Sequence, residues 1–242
     1  GPLVRWKDAN VTDLVKRVAW CFIAALVCGA AIPLALGWHT WTFIGLSLAF
    51  WVLFTFIESL REGIRNFKGN FFGKLFKLSR AWWGMSIAHL GVGVFIVGAA
   101  MVMTYALERD VTMTPGHDVS VGEYVFKFND VKTGIRGPNF LADEGQFTVY
   151  KNDKEVAQLS PQKRKYFSSE MPMTEAAISS SITGDLYVSM GAQTAEGAWV
   201  VRVYDKPFVT WIWWGCLIMS LGALIAILDR RYRARSRRAK QA

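Results

Sequence analysis

The stretch WWGMSIAHLGVGVFIVGAAMVMTYAL, residues 82–107, runs for 26 residues without an Asp, Glu, Lys or Arg. A helix of that length reaches about 39 Å at roughly 1.5 Å per residue, more than the ~30 Å hydrocarbon layer of a bilayer. Residues 82–107 are therefore expected to span a membrane, tilted or projecting slightly beyond the lipid. Three further apolar runs, 18–37, 41–57 and 208–228, are long enough to do the same, the second being the shortest. The composition agrees, with 52% hydrophobic and 14% aromatic residues gathered in blocks and a positive mean hydropathy. About a hundred residues of mixed polarity separate the last two runs and must fold as a domain of their own.

Charge sets the expected orientation. Of the 28 basic residues, 17 flank the spans in three groups. The first is Arg5, Lys7, Lys16 and Arg17; the second is Arg61, Arg65, Lys68, Lys74, Lys77 and Arg80; the third is the tail from Arg230 to Lys240. Lys and Arg resist translocation, so both termini and the loop 58–81 are expected in the cytoplasm. Residues 108–206 hold 11 basic against 14 acidic residues and are expected outside it. The formal charge of +9 is thus a topology signal with some attraction to anionic lipid, and no nucleic acid is needed to explain it. Cys21, Cys28 and Cys216 all fall inside predicted spans. The exported segment has no cysteine, hence no disulfide framework, and the chain has no Cys-x-x-Cys-His haem attachment site. The Gly1-Pro2 start reads as a point inside a longer protein.

The chain divides accordingly into a membrane region 1–107, an external domain 108–206, and a last span with a basic tail, 207–242. Between the second and third spans, residues 59–80 alternate basic side chains with Phe67, Phe71, Phe72, Leu75, Phe76 and Leu78, as an amphipathic surface stretch would. The external segment shows period-two alternation. Val119 and Val121, then 125–128, look like the first strands. A hairpin is expected over 146–150 and 155–159 about Asn152-Asp153, with further strands at 176–183, 185–190 and 198–204. Six or so short strands without a long helix point to a small all-β barrel or sandwich. The expected fold class is an α-helical integral membrane protein with four spans and one extracytoplasmic β domain.

Few residues offer chemistry. There is no Gly-x-Ser-x-Gly elbow, no phosphate-binding glycine loop outside the lipid, and three scattered histidines cannot build a zinc site. His39 and His117 fall in predicted exposed turns. His89 is different: seven residues beyond Trp82, it lies about 10 Å inside the membrane. An ionisable side chain at that depth is expensive and is retained for a purpose. Gly84, Ala88, Gly91 and Gly98 form a stripe for a closely packed helix. His89 lies off it, on a face with Met85, Gly93 and Ile96. Two readings stand side by side: an iron ligand facing a porphyrin, or a histidine hydrogen-bonded between packed helices.

Several motifs stand in order along the whole chain. They begin with Gly1-Pro2-Leu3-Val4-Arg5-Trp6-Lys7 and Ala88-His89-Leu90-Gly91. Gly137-Pro138-Asn139-Phe140 and Leu159-Ser160-Pro161-Gln162-Lys163-Arg164-Lys165-Tyr166 follow. Met173-Thr174-Glu175-Ala176-Ala177-Ile178, Asp185-Leu186-Tyr187-Val188, the run from Val201 to Trp213 and Asp229-Arg230-Arg231-Tyr232 complete the set. Together they resemble the CcmF family of cytochrome c-type biogenesis proteins. One departure is Gly222-Ala223, where that family more usually has Gly-Gly. The resemblance implies a bacterial inner-membrane protein, with residues 108–206 periplasmic, acting in cytochrome c maturation. A haem lyase of this kind joins haem to apocytochrome c by thioethers. In that family a transmembrane b-type haem between two histidines takes in electrons from membrane quinol.

His89 matches one of the two axial ligands, with Met85, Gly93 and Ile96 as haem-facing neighbours. The second histidine and the catalytic residues are expected upstream of Gly1, so the chain would be a fragment or one piece of a split protein, inactive alone. Implied partners are the rest of CcmF, the haem chaperone CcmE, a CcmH-type subunit that presents apocytochrome, apocytochrome c itself, quinol and the lipid bilayer. Lys163, Arg164 and Lys165 could meet haem propionates or an acidic partner, or simply form a solvated turn. The alternatives are a paralogue serving nitrite reductase haem attachment, a non-catalytic assembly scaffold, or a haem transport component.

Overall fold

The computed structural model describes residues 11–65, 67–169 and 171–229. The opening heptapeptide of the family resemblance, Arg5, Lys7 and the basic tail from Arg230 lie outside these residues. The chain forms two compact units, a helical one and a β domain over Tyr105–Thr210.

The helical unit contains α1 (Val11–Leu36), α2 (Thr40–Arg65), the short α3 (Phe71–Leu75), α4 (Arg80–Tyr105) and α5 (Val209–Ile227). All but α3 are long and apolar enough to cross a membrane. α1 and α2 form a hairpin through a turn in which Gly37 takes φ +112°, the left-handed geometry that ends a helix at little steric cost. α2 runs eight residues past Ile57, where the apolar run ends. Its charged continuation is held by α1: Arg17 approaches Glu62 at 3.3 Å and Glu58 at 3.9 Å. The stretch 59–80 is therefore not one amphipathic segment. Gly69, at φ +118°, breaks it, and Asn70 starts α3 by accepting a hydrogen bond from the Gly73 amide at 3.3 Å. Phe71, Phe72 and Phe76 are all exposed, as an interfacial face requires.

α4 and α5 pack backbone against backbone. A Cβ added at Gly91 would stand 2.6 Å from the Met219 amide nitrogen and 2.8 Å from the Gly215 carbonyl oxygen. One at Gly84 would meet Gly222 O at 2.6 Å. Van der Waals packing and weak polar contacts, rather than a hydrophobic drive, hold helices together in lipid, so close approach matters. The start of α4 is capped twice: the Trp82 amide donates to Ser79 Oγ at 3.1 Å, and the Ala81 amide to Asp229 Oδ2 at 2.8 Å. The second bond ties the beginning of α4 to the end of α5 and places a carboxylate at a helix N-terminus. On its other side α4 meets α2, with Gly45 beside Ala100 and a 2.6 Å bond from Thr42 Oγ1 to Thr104 Oγ1.

The β domain is a two-sheet sandwich of ten strands rather than six or so. The strands are β1 (Leu107–Met113), β2 (Asp118–Val121), β3 (Tyr124–Arg136), β4 (Phe140–Lys151), β5 (Lys154–Leu159), β6 (Gln162–Tyr166), β7 (Met173–Glu175), β8 (Ala177–Ser180), β9 (Gly184–Gln193) and β10 (Trp199–Pro207). One sheet has the order β1-β10-β9-β8; the other is β2-β3-β4-β6-β7, with β5 also on β4. The core lies between them. Phe126, Phe128, Phe147 and Val149 from one sheet meet Leu186, Val188, Met190, Val201 and Val203 from the other. Phe128 and Phe147 stack at 4.4 Å. Alternation along β10, with Trp199, Val201 and Val203 buried and Val200 and Arg202 outward, is what a half-buried strand produces. The β4–β5 hairpin turns at Asn152 and Asp153 with φ of +50° and +59°, the mirror-image turn that suits strand twist.

Three differences from the sequence-based expectation have physical causes. α4 stops at Tyr105, and Leu107, counted with the span, already belongs to β1, where it pairs with Asp205. The strand expected over 176–183 is shorter, β8 at Ala177–Ser180, because the chain turns where the Ser181 amide donates to Gly184 O; just before it, β7 pairs with β6 in the other sheet. Lys163, Arg164 and Lys165 lie on β6, not in a solvated turn, because β4 pairs with all three and β7 with Lys163 and Arg164.

Candidate functional site

His89 sits nine residues into α4, roughly 14 Å along its axis. Its side chain is exposed on the helix surface. Nδ1 lies 2.8 Å from the carbonyl oxygen of Met85, one turn back. A carbonyl only accepts, so Nδ1 donates to it and Nε2 is left outward. This is the arrangement in which imidazole serves as a metal ligand, with its second nitrogen fixing tautomer and ring orientation.

The other residues of the expected face divide. Met85 is half-buried beside His89. Gly93 is directed at α2, where an added Cβ would find Ala49 O and Val52 Cγ1 at 3.7 Å. Ile96 also lies toward α2, since its Cγ2 is 3.9 Å from where a Cβ of Gly45 would be. His89 thus stays exposed, with Met85 half-buried one turn back, while Gly93 and Ile96 line the α2 contact. Gly84 and Gly91 belong to the α5 side, so the small-residue stripe and the histidine are used by different neighbours.

The residues present fit a haem iron at His89: Nδ1 is held by the Met85 carbonyl, and Nε2 is turned outward from an apolar span, where it would bind the metal. A second histidine is not available from the spans of this chain, whose other histidines are His39, in the α1–α2 turn, and His117, in the β domain. Among the described residues no group of three or more His, Cys, Asp or Glu side chains could hold a metal ion. His117 is exposed, with Nδ1 2.9 Å from Thr114 Oγ1, a local turn contact.

The β4–β6 pairing brings together two motifs that are far apart in sequence, setting Phe140 opposite Tyr166 and Ala142 opposite Arg164. The Arg164 guanidinium lies 4.6 Å over the Phe140 ring. Its Nε donates to Gln162 Oε1 at 2.8 Å and Nη1 approaches Glu175 at 3.3 Å. Lys163 Nζ donates to Thr174 Oγ1 at 3.0 Å. Two of the three basic side chains are thus engaged within the domain, and Lys165 is the exposed one. A charged group that the sequence does not single out is Arg202. It grips Asp110 with both ends of its fork, at 2.5 and 2.7 Å, and holds that carboxyl below the usual carboxylate range. Cross-strand register alone reveals this pair, since 92 residues separate its members.

Comparison with known proteins gives a consistent picture. Residues 104–207 match the family model described as the CcmF C-terminal beta-sandwich. The chain is 40% identical over 236 residues to the cytochrome c-type biogenesis protein CcmF of Pseudomonas fluorescens, a match covering 97% of this chain and 35% of that protein. The CcmF of Pseudomonas aeruginosa is likewise 40% identical, over 97% of this chain and 36% of its own length. The chain therefore spans about a third of the length of the curated relatives it matches. Among solved structures, one titled cytochrome c heme lyase CcmF superposes with a TM-score of 0.73 at 20% identity, covering 95% of this chain and 37% of that one. At that identity the likeness concerns the fold.

Proposed function

We propose, for a chain that belongs to the CcmF family, that it forms the C-terminal membrane and β-sandwich part of a lyase attaching haem to apocytochrome c, with His89 supplying one axial ligand to a b-type haem. The observation that carries the reading is the 2.8 Å bond from His89 Nδ1 to Met85 O, which leaves Nε2 outward from a membrane-spanning helix. A b-haem in such a site supplies one-electron transfer, its potential tuned by axial ligands, hydrogen bonding and burial. This chain's own contribution is to hold the imidazole in one tautomer and one orientation. Met85 flanks it one turn back; Gly93 and Ile96 bound the site where α2 approaches.

The protein lies in the bacterial inner membrane in this reading, with both termini cytoplasmic and residues 108–206 periplasmic; the distribution of Lys and Arg supports it. The second axial histidine and the thioether-forming residues come from the rest of a complete CcmF. The β domain faces CcmE, a CcmH-type subunit or apocytochrome c, and quinol is the electron source. Absorption and EPR spectra of the complete CcmF carrying this sequence, purified from membranes, test the ligand. Low-spin bis-histidine haem is expected, and His89→Ala should lose the haem or turn it high-spin. An unchanged low-spin spectrum in His89→Ala refutes the assignment.

A further inference from the structure

We infer that the β8–β9 loop, Ser181-Ile182-Thr183, is a lipid-contacting anchor whose Ile182 side chain enters the boundary between headgroups and acyl chains. The inference rests on the length of α5 and on local hydrogen bonds, and not on the haem assignment. α5 has 19 residues, about 28 Å of helix, against a hydrocarbon layer of ~30 Å. None of its length is spare. Charges bracket it on both sides, Asp205 and Lys206 before it and Asp229 after it, so Val209 must start at the edge of the hydrocarbon.

The loop is fastened to that edge. The Phe208 amide donates to Thr183 O at 2.9 Å. Thr210 Oγ1 donates to Asp185 Oδ1 at 2.9 Å, with Ser181 O an alternative acceptor at 3.3 Å. Gly184 permits the approach, since a Cβ there would stand 2.7 Å from Lys206 O. Phe208 takes φ +57°, a costly conformation for a bulky residue that its neighbours must enforce. The chain thus accepts backbone strain at the point where the loop is joined to the first turn of a spanning helix.

At the tip, Ile182 is 78% exposed between Ser181 and Thr183. Within about two residues of the junction, Lys206 Nζ sits 4.4 Å over Tyr204 and 5.4 Å over Tyr187. An apolar tip next to tyrosines and a lysine is the side-chain order of a membrane interface, from acyl chains outward to headgroup phosphates. Lipid is the occupant this order selects, because the tip is apolar while the ring behind it is amphipathic and cationic.

The test uses the full chain in nanodiscs of phosphatidylethanolamine and phosphatidylglycerol, with Cys21, Cys28 and Cys216 replaced by Ser. A bimane label is placed at Ile182→Cys, or at Ala195→Cys in the far turn of the β9–β10 hairpin, some 30 Å away along the strands. Lipid carrying a shallow doxyl group should quench the label at 182 about two-fold or more and leave the one at 195 unchanged. Aqueous iodide should do the reverse. Equal doxyl quenching at the two sites, free iodide access at 182, or shielding of 182 from both quenchers by another protein surface would each overturn the inference.

Discussion

Alanine at Gly91 and alanine at Gly93 should have opposite effects, although both are glycine-to-alanine changes two residues apart on one helix. At Gly91 the new Cβ would stand 2.6 Å from a backbone nitrogen and 2.8 Å from a backbone oxygen of α5, against 3.4–4 Å for ordinary contact. Backbone cannot swing aside as a side chain can, so α4 and α5 must separate by roughly 0.8 Å, and a gap of that size forfeits a quarter to a half of each contact's attraction. Overpacking of this kind costs about 1–3 kcal/mol, offset by up to ~1 kcal/mol from the better helix propensity of alanine. The net expectation is a loss of about 1–2 kcal/mol. At Gly93 the nearest atoms, Ala49 O and Val52, lie at 3.7–3.8 Å. Propensity then dominates, and the change should stabilise by up to ~1 kcal/mol. The gap of roughly 2 kcal/mol corresponds to about a thirty-fold difference in unfolding constant. Denaturant unfolding of both variants in the same nanodiscs reads it directly. Shifts of equal size and sign would refute the picture of a backbone-tight α4–α5 contact beside a looser α2–α4 one.

Three further outcomes follow from local contacts. Asp229→Ala removes the carboxylate that accepts from the Ala81 amide, and should destabilise the helical unit by about 0.5–2 kcal/mol, measured by the same unfolding assay. Burial raises the Asp205 carboxyl above 3.8, so at neutral pH the fold carries a charge that the unfolded chain solvates better. Asp205→Asn should therefore stabilise the β domain at neutral pH, with the gain fading as pH falls toward 4; a gain that persists unchanged in acid would rule this out. Asp110 has the opposite sign. Its carboxyl is held below 3.8 chiefly by its hydrogen bonds to Arg202, so its contribution to the fold is complete at neutral pH and lost in acid. NMR titration should move the Asp110 midpoint up toward 3.8 in Arg202→Gln.

Some of this protein is local in origin and could be read residue by residue. The apolar runs around Cys21, Phe50, Val94 and Leu217 demand membrane-spanning helices, because each must satisfy its own backbone in lipid. Period-two alternation in Val201 and Val203 demands a sheet face, and Asn152-Asp153 a hairpin. His89 was conspicuous for the same local reason, an imidazole in a span without charges. What depended on partners distant in the chain was hidden. β6 and β7 are short and polar and exist through pairing with β4 and with each other, so Arg164 and its neighbours resembled a turn until Phe140 and Glu175 were placed beside them. Whether Gly93 faced a porphyrin or a helix could not be decided by its position on α4, because that depends on where α2 crosses. The direction of His89 Nε2 likewise needed the Met85 carbonyl to be set at hydrogen-bond distance from Nδ1. Periodicity reports the solvent a segment must face; only packing decides which neighbour faces it.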